Sequence, residues 1–139
     1  GEDLKVVITV SPIRYAKYGF HGSQLSKATL LLAADRLVRQ NPGIVSYFPA
    51  YELMNDELRD YRFYEEDMLH PSSQAVEFIW QRFRAAYFGR AAEQFLEDWR
   101  PIREAHGHKP FHPDSEAHQR FLAKTEEMER RFNEKYFNS

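Results

Sequence analysis

LKVVITV, Leu4 to Val10, is a short apolar run rich in β-branched side chains and closed by Ser11-Pro12. A strand buried on both faces reads this way, and such strands are usually parallel. A polar loop through Gly19, His21 and Gly22 follows, and the apolar spacing then predicts a helix from Ser23 to about Arg39, stopped by Asn41-Pro42-Gly43. Leu25, Ala28, Leu30, Leu31, Leu32, Ala33, Ala34, Leu37 and Val38 leave that helix only a narrow polar side, which predicts cover by a sheet and by neighbours. A second apolar run, IVSYF from Ile44 to Phe48, completes a strand–helix–strand unit. Such a unit is a right-handed crossover between parallel strands, so the class is α/β.

Beyond Phe48 no further strand is evident. Pro49 to Glu66 predicts a short helix near Glu52–Leu58 and then a loop rich in aromatic and arginine residues. That loop delivers DMLHPSSQ, Asp67 to Gln74, in which a carboxylate stands three residues before a histidine. At this spacing the carboxylate can reach back to the imidazole Nδ1–H, fix the tautomer and leave Nε2 free to take a proton from a nucleophile. The same residues could equally form a turn that satisfies a helix N-terminus. The segment leaves the carboxyl end of the Ile44 strand, the side of an open α/β sheet where ligands bind. Pro71, with Ser72 or Ser73 as cap, predicts a helix start whose positive end favours a neutral His70. Val76, Ile79, Trp80, Phe83 and Tyr87 then make one helical stripe expected to pack on the sheet.

The remainder is helical in another style. Ala92, Phe95, Leu96, Trp99 and Ile102 form one narrow stripe, with Pro101 ending or kinking its helix, and Phe121, Leu122, Thr125, Met128, Phe132 and Tyr136 form a second. Two stripes predict a helical pair, joined through HGHKPFHPD, with Asp114 or Ser115 as N-cap of the last helix. The acidic cluster Glu126, Glu127 and Glu129 reads as a solvated face. The expected organisation is an α/β part over residues 1–89 and a helical extension over 90–139.

Composition narrows the function. The 139 residues, 42% hydrophobic and 15% aromatic, suffice for one real core. A formal charge of -2 gives no electrostatic footprint for nucleic acid or an anionic membrane surface. The absence of cysteine removes disulfides, thiolate chemistry and cysteine zinc sites, and suits a reducing, cytoplasmic compartment without fixing one. No apolar run approaches the roughly 20 residues that span a bilayer. Gly1 reads as a residue left by tag removal and Leu4 enters a strand almost at once, so the chain is expected to be a piece of a larger domain. An interior strand turned into an edge exposes unpaired backbone groups, which predicts a homodimer.

ITVSPIR, LSKATLLLAADRL, YFPAYELMNDELRDYRFYEEDMLHPS and AVEFIW together resemble the carboxyl-terminal half of the GSCFA-domain family over roughly Val6 to Phe83. That family is similar to the SGNH/GDSL-type esterases, and Asp67 to Pro71 resembles the last conserved block of that superfamily. The resemblance implies a flavodoxin-like three-layer sandwich with Asp67 and His70 as acid and base of a Ser-His-Asp triad. The implied nucleophile lies in a GSCFA motif that this chain lacks, as are the superfamily's oxyanion-hole blocks, so the chain alone is expected to be inactive. The helices after Gly89 fall outside the resemblance.

Other candidates carry less. Ser11, or Ser23 and Ser26 beside Lys27, could form a serine–lysine pair, but turn and cap roles are far commoner for such serines. His106, His108, His112 and His118 with Asp114 could ligate zinc, yet without cysteine or an i, i+4 histidine pair no metal site is assigned and no cofactor is expected. Arg59, Tyr61, Arg62, Phe63 and Tyr64 could stack on a sugar or clamp a carboxylate, and Arg59, Arg62 and Tyr64 are the candidate substrate contacts. The parent activity implied is hydrolysis of a small-molecule or carbohydrate acyl ester. The rival reading is an interaction module whose aromatic helices dock a partner.

Overall fold

The structure, a computed structural model, describes residues 4–109 and 115–138, so His112 and Asp114 lie outside it. Among the described residues the fold is α/β and mostly helical, with two strands and five α-helices. The chain divides into two compact units, Gly1–Ala86 and Tyr87–Ser139.

In the first unit β1 (Val6–Thr9) and β2 (Val45–Phe48) pair in parallel, with Val6 opposite Val45 and Thr9 opposite Phe48. The expected burial of β1 on both faces does not hold: Val6 and Ile8 are half-buried while Val7 and Thr9 are exposed. The helix between them, α1 (Gly19–Gln40), begins a turn earlier than Ser23. Gly19 makes this possible by adopting φ +74°, a left-handed conformation that costs glycine nothing. The C-terminal stop falls where the sequence puts it: the Asn41 amide donates to Leu37 and Val38 carbonyls, and Gly43 turns the chain with φ +77°.

The apolar girth of α1 is not covered as expected. Only Ser23, Lys27 and Ala34 are buried, and Leu32 remains 72% exposed. Two strands spaced about 4.8 Å apart make a sheet no wider than a helix, so it covers one stripe of α1 and leaves the other leucines outside.

After β2, α2 (Ala50–Glu52) runs straight into a π-helical turn, Leu53–Glu57, closed by the Leu58 amide on the Leu53 carbonyl at 2.9 Å. This turn aims Met54 and Leu58 at Ala75 on α3 (Ser73–Tyr87), and the three form a core cluster with Phe63, Tyr64, Phe78 and Ile79 packed around it. Met54 is 1% exposed, and burying such a side chain contributes about 1.5–3 kcal/mol. The inward face of α3 is therefore Ala75, Phe78, Ile79 and Phe83. The expected stripe shares Ile79 and Phe83, but Val76, Trp80 and Tyr87 are exposed. Both faces are apolar, and the small Ala75 permits the closest approach. Pro71 does not start the helix. It lies in extended backbone bridged to Tyr64, and Ser72 is the cap, its Oγ accepting from the Ala75 amide at 3.3 Å.

The second unit is a helical pair, α4 (Arg90–Gly107) and α5 (Glu116–Tyr136). Its stripes meet as expected: Phe95 and Trp99 stand 4.9 and 5.1 Å from Phe132 by ring centroid, and Ile102 is 1% exposed. Leu122 departs from its stripe and is exposed. Pro101 does not end α4, which continues to Gly107. Ser115 caps α5 by accepting from the His118 amide at 3.2 Å. Glu129 is not simply solvated, because it pairs with His106 of α4, while Glu127 is held by Arg130 and Arg131.

Candidate active site

The segment Phe63–Ser72 folds back on itself. The Ser72 amide donates to the Phe63 carbonyl at 2.7 Å, the Glu65 amide to His70 at 2.8 Å, and the Met68 amide to Glu65 at 2.9 Å. Asp67 braces the tip of this loop. Its Oδ1 accepts from the Leu69 and His70 amides at 2.8 and 3.0 Å, while its Oδ2 lies 2.5 Å from His70 Nδ1. The turn role and the orienting role therefore coexist in one carboxylate, although the amides it caps belong to its own loop and not to α3.

These contacts hold the Asp67 carboxyl down at about 2, the His70 amide contributing most, then the His70 ring and the Leu69 amide. An ionised carboxylate only accepts, so in the neutral imidazole the proton sits on Nδ1 and Nε2 keeps its lone pair. His70 is exposed, and among the described residues its Nε2 has no hydrogen-bond partner. Chemically the pair can take a proton at Nε2 and stabilise the resulting imidazolium.

Between the two lies Met68 with φ 60°, the only non-glycine residue of positive φ among those described. This conformation costs a side-chain-bearing residue about 1–2 kcal/mol. Arg14, on the loop leaving β1, closes over it: its amide donates to the Leu69 carbonyl at 3.0 Å and its guanidinium to Met68 at 3.2 Å. A cleft of about 200 Å³ adjoins this contact, lined by Arg14, Asn55, Arg59, Asp60, Tyr61 and Tyr64 over a floor of Met54 and Leu58.

Of the predicted substrate contacts, Arg59 and Tyr64 line the cleft, whereas Arg62 lies over the Phe63 ring at 4.7 Å and does not. Burial raises the Tyr64 phenol above its ordinary range, with Arg14 opposing. Arg14 was not among the predicted site residues. The signal for it is its place just past the carboxyl end of β1, where open α/β sheets bind ligands.

Ser23 and Lys27, of the serine–lysine candidates, have structural partners. Ser23 is buried and its Oγ accepts from the Tyr15 amide at 3.1 Å, and Lys27 donates to the Ser11 carbonyl at 2.6 Å, its ammonium pKa lowered by burial. His108 and His118 lie beside Phe121, and among the described residues no group of three or more metal-ligating side chains forms. No helix among them is long and apolar enough to cross a membrane.

A parallel strand–helix–strand unit presenting an aspartate-oriented histidine on the loop beyond its second strand defines an α/β protein with a candidate acid–base site. The chain belongs to the GSCFA family: residues 1–83 match that family, and residues 99–139 match the GSCFA domain protein, C-terminal domain. No curated protein and no solved structure matches the chain.

Proposed function

We propose that this chain supplies the acid and base of an SGNH/GDSL-type serine acyl-ester hydrolase, acting on an O-acylated small molecule or carbohydrate. The observation that carries this reading is the 2.5 Å contact between Asp67 and His70, on a loop that fixes both residues and leaves Nε2 open. In the reaction His70 Nε2 takes the proton of a serine hydroxyl as its oxygen attacks the ester carbonyl. The same nitrogen then returns the proton to the leaving alkoxide while Asp67 stabilises the imidazolium. In this reading the serine and the oxyanion donors come from outside these 139 residues, in which no GSCFA motif occurs. In this reading residues 1–89 complete a flavodoxin-like three-layer domain and residues 90–139 are its helical extension.

The aromatic stripes that an interaction module would offer to a partner are already packed on each other across α4 and α5. Hydrolysis of p-nitrophenyl acyl esters by a protein carrying the serine tests the enzyme reading. His70→Ala should lower kcat by about 10³ or more, with circular dichroism and melting unchanged. The 139-residue chain alone should not exceed its own His70→Ala variant. Unaltered kcat in a folded His70→Ala protein would remove the triad.

A further inference from the structure

We propose that Arg14, seconded by Arg59, forms an anion-binding subsite in the cleft beside the Asp67–His70 loop, so that the molecule bound there carries a carboxylate or a phosphate. That this molecule is a substrate rests on the esterase reading. The anion binding does not.

A guanidinium has five N–H donors in a rigid fork that matches the paired oxygens of a carboxylate or phosphate. Arg14 spends one of them on the Met68 carbonyl. Among the described residues it has no carboxylate partner. It is not a loosely waving cation either, because Phe20, Tyr64 and Tyr61 surround it with ring centroids 5.0, 5.3 and 5.8 Å away. Those rings and the Met68 bond hold its plane in place, so little freedom remains to be lost when a ligand docks.

Arg59 brings a second cation to the same cleft, and among the described residues it has no carboxylate partner, its Nε donating to the Asn55 carbonyl at 3.4 Å. Among the described residues that line the cleft one is acidic, Asp60, whose Oδ1 accepts from the Arg62 amide at 2.9 Å. Two cations against one partly engaged carboxylate leave the lining net positive in a protein that is negative overall. The volume, about 200 Å³, falls below the roughly 300 Å³ at which ligand-sized pockets begin. It suits one charged substituent rather than a whole sugar ring.

Titration of the 139-residue chain with glucuronate, glucose 6-phosphate and glucose, followed by NMR of the arginine Nε–H groups, tests the subsite. Both anions should shift Arg14 and Arg59 saturably and glucose should not. Tighter binding of glucuronate identifies a carboxylate ligand, and tighter binding of glucose 6-phosphate a phosphate. Arg14→Gln should weaken the anion by about tenfold or more, since a charge-assisted pair is lost. Arg59→Gln, which removes no contact between distant segments, should weaken it by a smaller factor and decides the matter should Arg14→Gln disturb the fold. Equal shifts with glucose, no shift at either arginine, or undiminished binding in the folded arginine variants would overturn the proposal. His70→Ala should bind the anion as wild type does. A failed esterase reading thus leaves this binding intact, and a failed subsite leaves His70-dependent hydrolysis of neutral esters intact.

Discussion

The Arg14 guanidinium donates to the carbonyl of Met68, fastening the loop beyond β1 to the strained residue between Asp67 and His70. The strain has a measurable consequence. Met68 is 46% exposed, so Met68→Gly loses little burial and relieves the left-handed conformation, and it should stabilise the fold by up to about 1 kcal/mol after glycine's unfolded-state entropy is counted. Met68→Val should destabilise it. Thermal melting of the two variants checks the sign, and a Met68→Val protein as stable as wild type would show that the conformation carries no strain.

Asp67 sets a pH dependence. Its carboxyl is held at about 2 in the fold, below its ordinary value of 3.8, so its contribution to stability is present above the ordinary value and lost as pH falls through about 2. The Asp67 Cγ shift should titrate near that lower value. In His70→Ala it should move upward only part of the way, because the backbone amides of residues 69 and 70 still donate. A return to the full ordinary value would mean that the ring alone does the holding.

Those amides explain what the sequence could and could not disclose. DMLH showed which two side chains would meet, since three residues of separation limit where they can be. It offered the orienting role and the turn role as alternatives and did not show that one carboxylate would fill both. The place of Arg14 past β1 could be read, but its bond to Met68 could not, because the two lie 54 residues apart and no local pattern encodes that meeting. The two strands, the Asn41 stop and the helical pair were legible from periodicity and turn chemistry. The choice of face on α3 was not, because Ala75, Phe78 and Ile79 form as good a helical stripe as Val76, Trp80 and Tyr87 do.

Edge exposure gives a further test. Among the described residues β1 pairs only with β2, and its side chain at Val7 is exposed. Wild-type chain should sediment as a dimer at micromolar concentration, and Val7→Lys, a charge placed in the edge strand, should shift it to monomer. A wild-type chain that sediments only as monomer removes the edge-pairing expectation.

Phe132 holds the helical pair together. It is 6% exposed and contacts Phe95, Trp99 and Tyr136. Phe132→Ala should cost about 3–5 kcal/mol and melt α4 and α5 selectively. Hydrogen exchange resolved by segment would see amides of both helices lose protection while those of Phe63–Ser72 keep theirs. Uniform loss throughout the chain would instead make the two units one cooperative body.

The loop that carries Asp67 and His70 closes almost entirely on itself, and this bears on the order in which the molecule assembles. Apart from the Arg14 amide on the Leu69 carbonyl, the backbone bonds that shape its tip begin and end within Phe63–Ser72, whereas Thr9 must find Phe48 across 39 residues. A loop of about ten residues closes in roughly 10–100 ns. The aspartate can therefore turn the imidazole while the sheet is still forming or after it has frayed. Arg14 arrives only when β1 does, so the proton-handling half of the site is early and local, and the charged half is late and long-range.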